Sequence, residues 1–142
     1  MELAATGGPG AVTMTAVARS AGAPSGSVYY RFPSRDALLR ALWQRTRKRF
    51  GSGWLAALDQ HGPVAAGAHV VSWSREHPQE ARILLHGPRA FGTTPDAMDA
   101  HDELTLFLAV DLPYAIVRRH LLAGTTIPAD AEGLIDTVAR SL

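Results

Sequence analysis

Residues 13–43 read TMTAVARSAGAPSGSVYYRFPSRDALLRALW. The beginning of this segment predicts a short helix capped by Thr13, because a threonine oxygen accepts a hydrogen bond from a first-turn amide. Gly22 ends this helix, since glycine adopts the left-handed C-terminal conformation at little cost, and Pro24 prevents its continuation. A short helix followed by a tight turn is therefore expected here.

A second short helix is predicted from Ser25, and its inner face carries Val28 and Phe32, four residues apart. Its other positions are small or polar and are free to face a partner: Ser25, Gly26, Ser27, Tyr29, Tyr30 and Arg31. Ser34 is the predicted cap of a longer third helix. Two short helices joined by a glycine-containing turn, the second with a polar outer face, describe a helix-turn-helix at about residues 14–33.

Several positions in this segment carry a family resemblance. They are Ala18, Ala21-Gly22, Gly26-Ser27-Val28-Tyr29 and the run Phe32-Pro33-Ser34-Arg35-Asp36-Ala37-Leu38. In this spacing they resemble the DNA-binding signature of the TetR family of bacterial transcriptional regulators. The resemblance implies a double-stranded DNA operator as partner. Ser25, Gly26, Ser27, Tyr29, Tyr30 and Arg31 are expected to present the DNA-facing surface, and Thr13, Thr15 and Arg35 to contact phosphates.

Three features depart from the pattern of the family. Pro24 stands where the family usually has a serine or threonine cap. Arg31 and Arg35 stand where it usually has histidine and lysine, and both changes keep or add positive charge. The family's first helix, an apolar segment before the signature, is largely missing, since only residues 2–5 resemble its last turn.

The charge of the chain is unevenly distributed. Residues 1–50 carry eight basic and two acidic groups, a net charge of +6, whereas the remaining 92 residues carry a net charge of −5. Such asymmetry indicates that the N-terminal part binds a polyanion. The alternative is that the basic run at residues 40–49 forms only the solvated face of a helix.

The composition favours a soluble, cytoplasmic protein without a membrane partner. No run of 18 apolar residues is present. The N-terminus lacks the basic-then-apolar pattern of a signal peptide. The chain contains no cysteine, which excludes disulfides and thiolate metal sites.

The rest of the chain predicts helices, since no period-two run of β-branched residues occurs. A connector helix begins at Ser34, and Gly51-Ser52-Gly53 marks a predicted interruption. Further helices are expected to begin at Pro63, near Gln79, at Pro95 or Asp96 with Met98 facing inward, at Tyr114, and near residues 128–130. The fold class is therefore all-α, with a DNA-binding domain at residues 1–46 and a helical effector-binding and dimerisation domain at residues 47–142.

The sequence carries no motif of an enzyme, a metal site or a cofactor site. The six histidines show neither HExxH nor His-x-His spacing. A serine hydrolase of the common type requires a GxSxG turn between a strand and a helix, and the chain has neither. The glycines at positions 7, 8 and 10 follow no strand and precede no Lys-Ser/Thr pair, so they are not a phosphate loop. We therefore expect no cofactor and no catalysis.

Aromatic residues occur in body helices that otherwise need only leucine and alanine. Trp73, Phe107 and Tyr114 are the predicted walls of an apolar pocket between the connector helix and the body. A small-molecule effector held inside the helical body is what the resemblance implies. The alternative is that these rings only fill the protein core.

The two final predicted helices are amphipathic and are joined by a short turn at residues 124–128, which makes them antiparallel neighbours. The resemblance implies that they pair with the same helices of a second copy in a four-helix bundle. The predicted homodimer interface consists of Ile116, His120, Leu134, Ile135, Val138 and Leu142. The alternative is that this stripe packs only within its own protomer.

Together these predictions favour a sequence-specific transcriptional regulator, a ligand-responsive repressor that binds DNA as a homodimer. Two recognition helices, one from each protomer, are expected to enter successive major grooves. The rival hypothesis is a helical sensing or interaction protein that lost competent DNA binding together with its truncated first helix.

Overall fold

The computed structural model describes residues 1–93 and 101–142, and every regular element within these ranges is helical. In chain order the α-helices are α1 (Glu2–Gly7), α2 (Met14–Ala21), α3 (Ser25–Arg31), α4 (Arg35–His61), α5 (Pro63–Glu76), α6 (Pro78–Leu85), α7 (Glu103–Leu106), α8 (Leu112–Ala123) and α9 (Ala131–Ser141). Short 3-10 turns occupy Pro9–Ala11 and Pro88–Phe91, and a π-helical turn at Phe107–Asp111 joins α7 to α8. The predicted all-α fold with an N-terminal helix-turn-helix is confirmed.

The helix-turn-helix is built by the local signals that the sequence carries. Thr13 and Ser34 each accept a hydrogen bond of 3.1 Å from the backbone amide three residues later, so each caps its helix as expected. Gly22 ends α2 in the left-handed conformation, with φ at 63°. α3 begins directly after Pro24 without a side-chain cap. The proline ring fixes φ of this residue, here at −61°, which restricts the backbone just before the helix.

α4 runs from Arg35 to His61 without the interruption predicted at Gly51-Ser52-Gly53. Close packing on α5 explains one of these glycines, because a Cβ at Gly53 would overlap the ring of His69. The connector therefore passes as one helix from the head into the body. The predicted domain boundary between residues 46 and 47 lies inside it.

α5 lies at the centre of the body and contacts α4, α8, α9 and the π-helical turn. The main core cluster joins it to the final helices; its buried members are Val71, Trp73, Ala81, Ile116, Val117, Leu121, Ile127, Ala131 and Ile135. Removal of this apolar surface from water is the main term that stabilises the body.

A second core cluster joins the head to the body. Its buried members are Ala4, Val12, Leu39, Trp43, Ile83 and Phe91, which come from the N-terminal segment, α4, α6 and the turn after α6. Trp43 and Phe91 stack with their ring centroids 5.6 Å apart. Because these residues share one core, a movement of α4 relative to α6 has to repack it.

The segment from α7 to α8 is continuous across Pro113, although proline commonly ends or kinks a helix. Leu112 donates its amide hydrogen to the carbonyl of Phe107, five residues earlier, which is the π-helical spacing. Pro113 then lies in the first turn of α8, where its missing amide hydrogen is tolerated. The predicted helix start at Pro95 or Asp96, and the inward position of Met98, lie outside the described residues.

Arg75 fastens the start of α9 to α5. Its Nη1 and Nη2 donate to the two carboxylate oxygens of Glu132 at 2.7 Å each. Its Nε and Nη2 also donate to the carbonyls of Ile127 and Pro128, at 3.1 and 2.6 Å. The hydrogen bond from Arg75, more than its charge, holds the pKa of Glu132 below the ordinary value. This clamp fixes the loop that turns α8 back into α9.

Candidate nucleic-acid interface and body cavity

The outer face of α3 is exposed along its whole length. Val28 is its buried residue, whereas all six residues predicted to face DNA are exposed: Ser25, Gly26, Ser27, Tyr29, Tyr30 and Arg31. Tyr29 is 53% exposed and Tyr30 is 94% exposed. Both tyrosines, and Tyr30 almost completely, are therefore available to a partner.

A small apolar core holds α3 from behind. Met14 and Ala18 of α2 bury Val28, and Val17, Phe32 and Leu38 pack around them. This core fixes α3 against both α2 and the first turn of α4. The outer face is therefore presented by a supported element, as a recognition helix requires.

The two threonines predicted to contact phosphates are exposed near the start of α2. The Thr13 hydroxyl oxygen accepts the hydrogen bond from Ala16, which leaves its hydrogen free for donation to another acceptor. Thr15 is the second residue of α2, in the same first turn. Both hydroxyls fit a contact with a phosphate oxygen, and this role stays a prediction.

Arg35 has a structural role that the sequence did not reveal. Its Nε donates to the carbonyl of Val12 and its Nη2 to the carbonyl of Pro9, both at 2.6 Å. These bonds tie the N-terminal segment to the start of α4. They were missed because the acceptors lie 23 and 26 residues away in the chain. A guanidinium has five N–H donors, so the predicted phosphate contact is compatible with these bonds and stays a prediction.

The basic run on α4 does not form a single surface. Arg49 Nη1 pairs with Glu80 Oε1 of α6 at 2.6 Å. Arg47 and Lys48 line a cavity in the body. Part of the positive charge that the sequence assigned to polyanion binding therefore lies on the body side of α4, and Arg31 remains on the exposed end of α3.

A cavity of about 960 Å³ lies between α4 and the body helices. Its walls are mostly apolar and aromatic; they include Trp43, Phe50, Trp54, Val70, Trp73, Leu84, Leu85, Tyr114, Val117 and Leu121. Its lining also includes polar and basic side chains of α4, namely Gln44, Arg47, Lys48 and Ser52. No acidic side chain is found among its walls within the described ranges. A large apolar cavity with a few polar groups is the usual form of a small-molecule site.

Two of the three predicted pocket residues line this cavity. Trp73 and Tyr114 do so, and Trp73 also makes an edge contact with the ring of Phe50 at 5.2 Å. The prediction for Phe107 is wrong, since its side chain is 38% exposed and does not line the cavity. The cause is the π-helical turn, which adds a residue to the turn and brings Leu108 and Ala109 inward instead.

α4 contributes the largest share of the remaining wall. Positions 43, 47, 50 and 54 of α4 all line the cavity. They follow the spacing i, i+4, i+7 and i+11 of one helical face. The predicted break at Gly51-Ser52-Gly53 hid this periodicity, and a continuous helix would have revealed it.

The predicted dimer-interface residues separate into two groups. Ile116 and Ile135 are corrected to core residues, because their side chains are 8% and 0% exposed within one protomer. The aromatic and aliphatic side chains of α5 and α8 already cover them. Leu134 and Leu142 are 49% and 73% exposed, and Val138 is half-buried. The half-buried His120 has Nδ1 3.0 Å from the hydroxyl of Thr125.

Comparison with models of protein families matches residues 1–42 to the family described as "Bacterial regulatory proteins, tetR family". The matched residues include α1, α2, α3 and the first two turns of α4. Comparison with curated proteins and with solved structures gives no significant match.

None of the described helices is long and apolar enough to cross a bilayer. In the same part of the chain, no three His, Cys, Asp or Glu side chains converge as metal ligands.

Proposed function

We propose that this chain is a regulator of the tetR family, whose model matches residues 1–42. In this proposal it is a ligand-responsive repressor that binds a two-fold operator as a homodimer. The observation that carries the proposal is the exposed outer face of α3. It consists of small, hydroxyl, aromatic and cationic groups on a helix whose inner face is buried against α2 and α4. These are the side chains that read base edges and contact phosphates in a major groove.

Two features of the head support phosphate contact on either side of α3. Thr13 and Thr15 lie at the start of α2, and Arg31 lies at the end of α3. The N-terminal 50 residues carry a net charge of +6. Phosphate contacts of this kind position a protein on the duplex without reading its sequence.

Apolar side chains left exposed on α9 support the homodimer. Leu134 and Leu142 are largely exposed although α9 is amphipathic, and Leu122 on the neighbouring α8 is 61% exposed. Association of these helices with those of a second copy would remove this surface from water. A dimer would also present two copies of α3 to an operator with two-fold symmetry.

The body cavity supports an effector that is large and mainly apolar, with planar aromatic groups. All three tryptophans of the chain line it, together with Phe50 and Tyr114. Rings of this kind stack favourably on flat ligands. The cavity wall formed by α4 continues into the head, so a ligand that binds one orientation of α4 better than another would shift the separation of the two heads. Repression would be relieved when the bound orientation no longer fits the operator.

A single methyl group tests the DNA-binding half of this proposal. A Cβ at Gly26 has no neighbouring atom within 4 Å, so Gly26→Ala in α3 should leave the fold intact or stabilise it by up to about 1 kcal/mol. At a close-packed DNA interface the same methyl should lower operator affinity by about tenfold or more. The operator would be obtained by selection from a pool of random duplexes, and affinity measured by fluorescence anisotropy.

Gly133→Ala is the matched control. Gly133 is an exposed glycine in α9, and a Cβ there also has no neighbour within 4 Å. It should stabilise the protein similarly without changing operator affinity, and sedimentation should show the same association state as for the wild type, because Gly133 is next to Leu134 of the proposed interface. Equal operator affinity of Gly26→Ala and the wild type would contradict the assignment of α3. Failure of the selection to enrich any duplex, with ligand binding intact, would favour the helical sensing protein that does not bind DNA.

Tryptophan fluorescence tests the effector half, because every tryptophan reports on the same cavity. Titration with a panel of planar aromatic compounds should quench or shift this emission for the compounds that bind. Those compounds should also lower operator affinity. Trp73→Ala should weaken their effect while operator affinity without ligand stays near the wild-type value. Binding compounds that leave the emission unchanged would place the effector site elsewhere.

A further inference from the structure

Pro113 lacks the amide hydrogen that one possible helical donor to the carbonyl of Ala109 would supply. In an α-helix the carbonyl of Ala109 would accept a hydrogen bond from the amide of residue 113, and proline has no amide hydrogen. The indole Nε1 of Trp54 donates a hydrogen bond to this carbonyl, 3.0 Å from the Ala109 oxygen. This hydrogen bond joins α4 to the π-helical turn, across 55 residues of sequence.

The acceptor end of this bond is held firmly against α5. A Cβ at Gly67 would overlap the carbonyl oxygen of Leu108, so only glycine allows this approach of α5 to the turn. Leu108 and Ala109 are both buried. The turn therefore cannot follow α4 if α4 moves, and the bond to Trp54 has to break or bend.

The bond also lies in the wall of the cavity. Trp54, Ala109 and Val110 all line the cavity, so both ends of the bond are within reach of an occupant. Trp54 is on the same continuous helix as Leu38, which packs against the small core that holds α3. Trp54 therefore contributes to the cavity wall both an aromatic ring and a directed hydrogen bond.

We propose that the Trp54–Ala109 hydrogen bond is the tie that sets the position of α4, and through it of the head, relative to the ligand-binding body. Trp54 is thus a positioning residue for DNA binding. The inference rests on the proposed function and deepens it, since it names the contact through which the cavity controls the head. Substitutions at its two ends separate this role from a contribution to stability.

The test compares four proteins: the wild type, Trp54→Phe, Pro113→Ala and the double variant. Trp54→Phe keeps an aromatic ring and removes the donor. Its urea unfolding midpoint should fall because a buried carbonyl loses its partner. Its operator affinity should fall by about tenfold, a typical size for coupling between two sites. Pro113→Ala adds an amide hydrogen for the Ala109 carbonyl, keeps Trp54, and should leave operator affinity unchanged.

The double variant decides between the two roles. In it the Ala109 carbonyl is satisfied within its own helix, so the unfolding midpoint should return towards that of Pro113→Ala. Operator affinity should stay about tenfold low, because nothing ties α4 to the turn. If Trp54→Phe does not fold, the operator affinities of the double variant and Pro113→Ala can be compared instead, since these two proteins also differ only at position 54.

Three results would overturn the proposal. They are an unchanged unfolding midpoint in Trp54→Phe, an unchanged operator affinity in it, or recovery of affinity together with stability in the double variant. Absence of operator binding by the wild type and by Pro113→Ala would overturn the proposed function as well. Equal operator affinity of all four proteins would overturn only the proposed role of the Trp54–Ala109 hydrogen bond.

Discussion

At the scale of single residues, two arginines near the end of α3 separate a structural role from a role in DNA binding. Arg35 donates to the carbonyls of Val12 and Pro9, whereas the exposed Arg31 has a ring contact with Phe32 at 6.0 Å. Arg35→Ala should lower the free energy of unfolding by about 1–3 kcal/mol, as the loss of charge-assisted hydrogen bonds does. Arg31→Ala should leave it unchanged and reduce the salt dependence of DNA binding by about one unit.

Urea unfolding and DNA titrations at several salt concentrations measure both effects. Equal stability of Arg35→Ala and the wild type would mean that the two carbonyl bonds contribute nothing to the free energy of unfolding.

The hydrogen bonds of this region show which contacts of single residues can be predicted from sequence. The caps at Thr13 and Ser34 were predictable because donor and acceptor are three residues apart. The acceptors of Arg35 were not, because tertiary folding alone brings them near.

At the scale of elements, the clamp between α5 and α9 should make stability depend on pH. The hydrogen bond from Arg75 lowers the pKa of Glu132 in the folded protein. The clamp therefore stabilises the fold above the ordinary glutamate pKa, and this contribution is lost as the pH falls through the lowered folded value. Glu132→Gln should cost about 1–2 kcal/mol at pH 7 and less at about pH 3, below the ordinary glutamate pKa.

Asp136→Asn is the control on the same helix, since its partner Arg140 has a side chain that is largely exposed. It should change the stability by less than about 0.5 kcal/mol at either pH. Unfolding midpoints measured across this pH range provide the comparison. A constant difference between Glu132→Gln and the wild type at all pH values would show that the carboxylate does not need its charge.

The elements also show where a periodic pattern stops being informative. The stripe on α9 was predicted correctly as a helical face, but Ile135 packs on the protomer's own core and Leu134 remains outside. Gly67 of α5 lies next to the side chain of Ile135, a long-range contact that no local pattern specifies. In the same way, the π-helical turn reversed the expected position of Phe107, and no local signal other than Pro113 indicated it.

At the scale of the whole molecule, the proposed homodimer depends on side chains that one protomer leaves uncovered. Leu134→Asp should give a folded monomer with operator affinity reduced by more than about tenfold, because two linked heads bind more tightly than one. Sedimentation velocity and far-ultraviolet circular dichroism would measure association and fold. Ile135→Asp should instead unfold the protein, since it places a charge at a fully buried position.

Leu104→Asp is the matched control for Leu134→Asp, because Leu104 is 51% exposed on α7, outside the proposed interface. Its sedimentation should match that of the wild type. A wild-type protein that sediments as a monomer at micromolar concentration would contradict the proposed dimer. It would leave the exposed leucines of α9 without the role assigned to them.

The most direct test of sequence-specific DNA binding through α3 is the ratio of two affinities. The wild-type protein would be titrated at physiological salt against its selected operator and against a duplex of the same composition in scrambled order. An exposed recognition face of the kind seen on α3 predicts a ratio of about 10³ or more. Equal affinity for the two duplexes would contradict the account, since charge alone would then explain all of the binding.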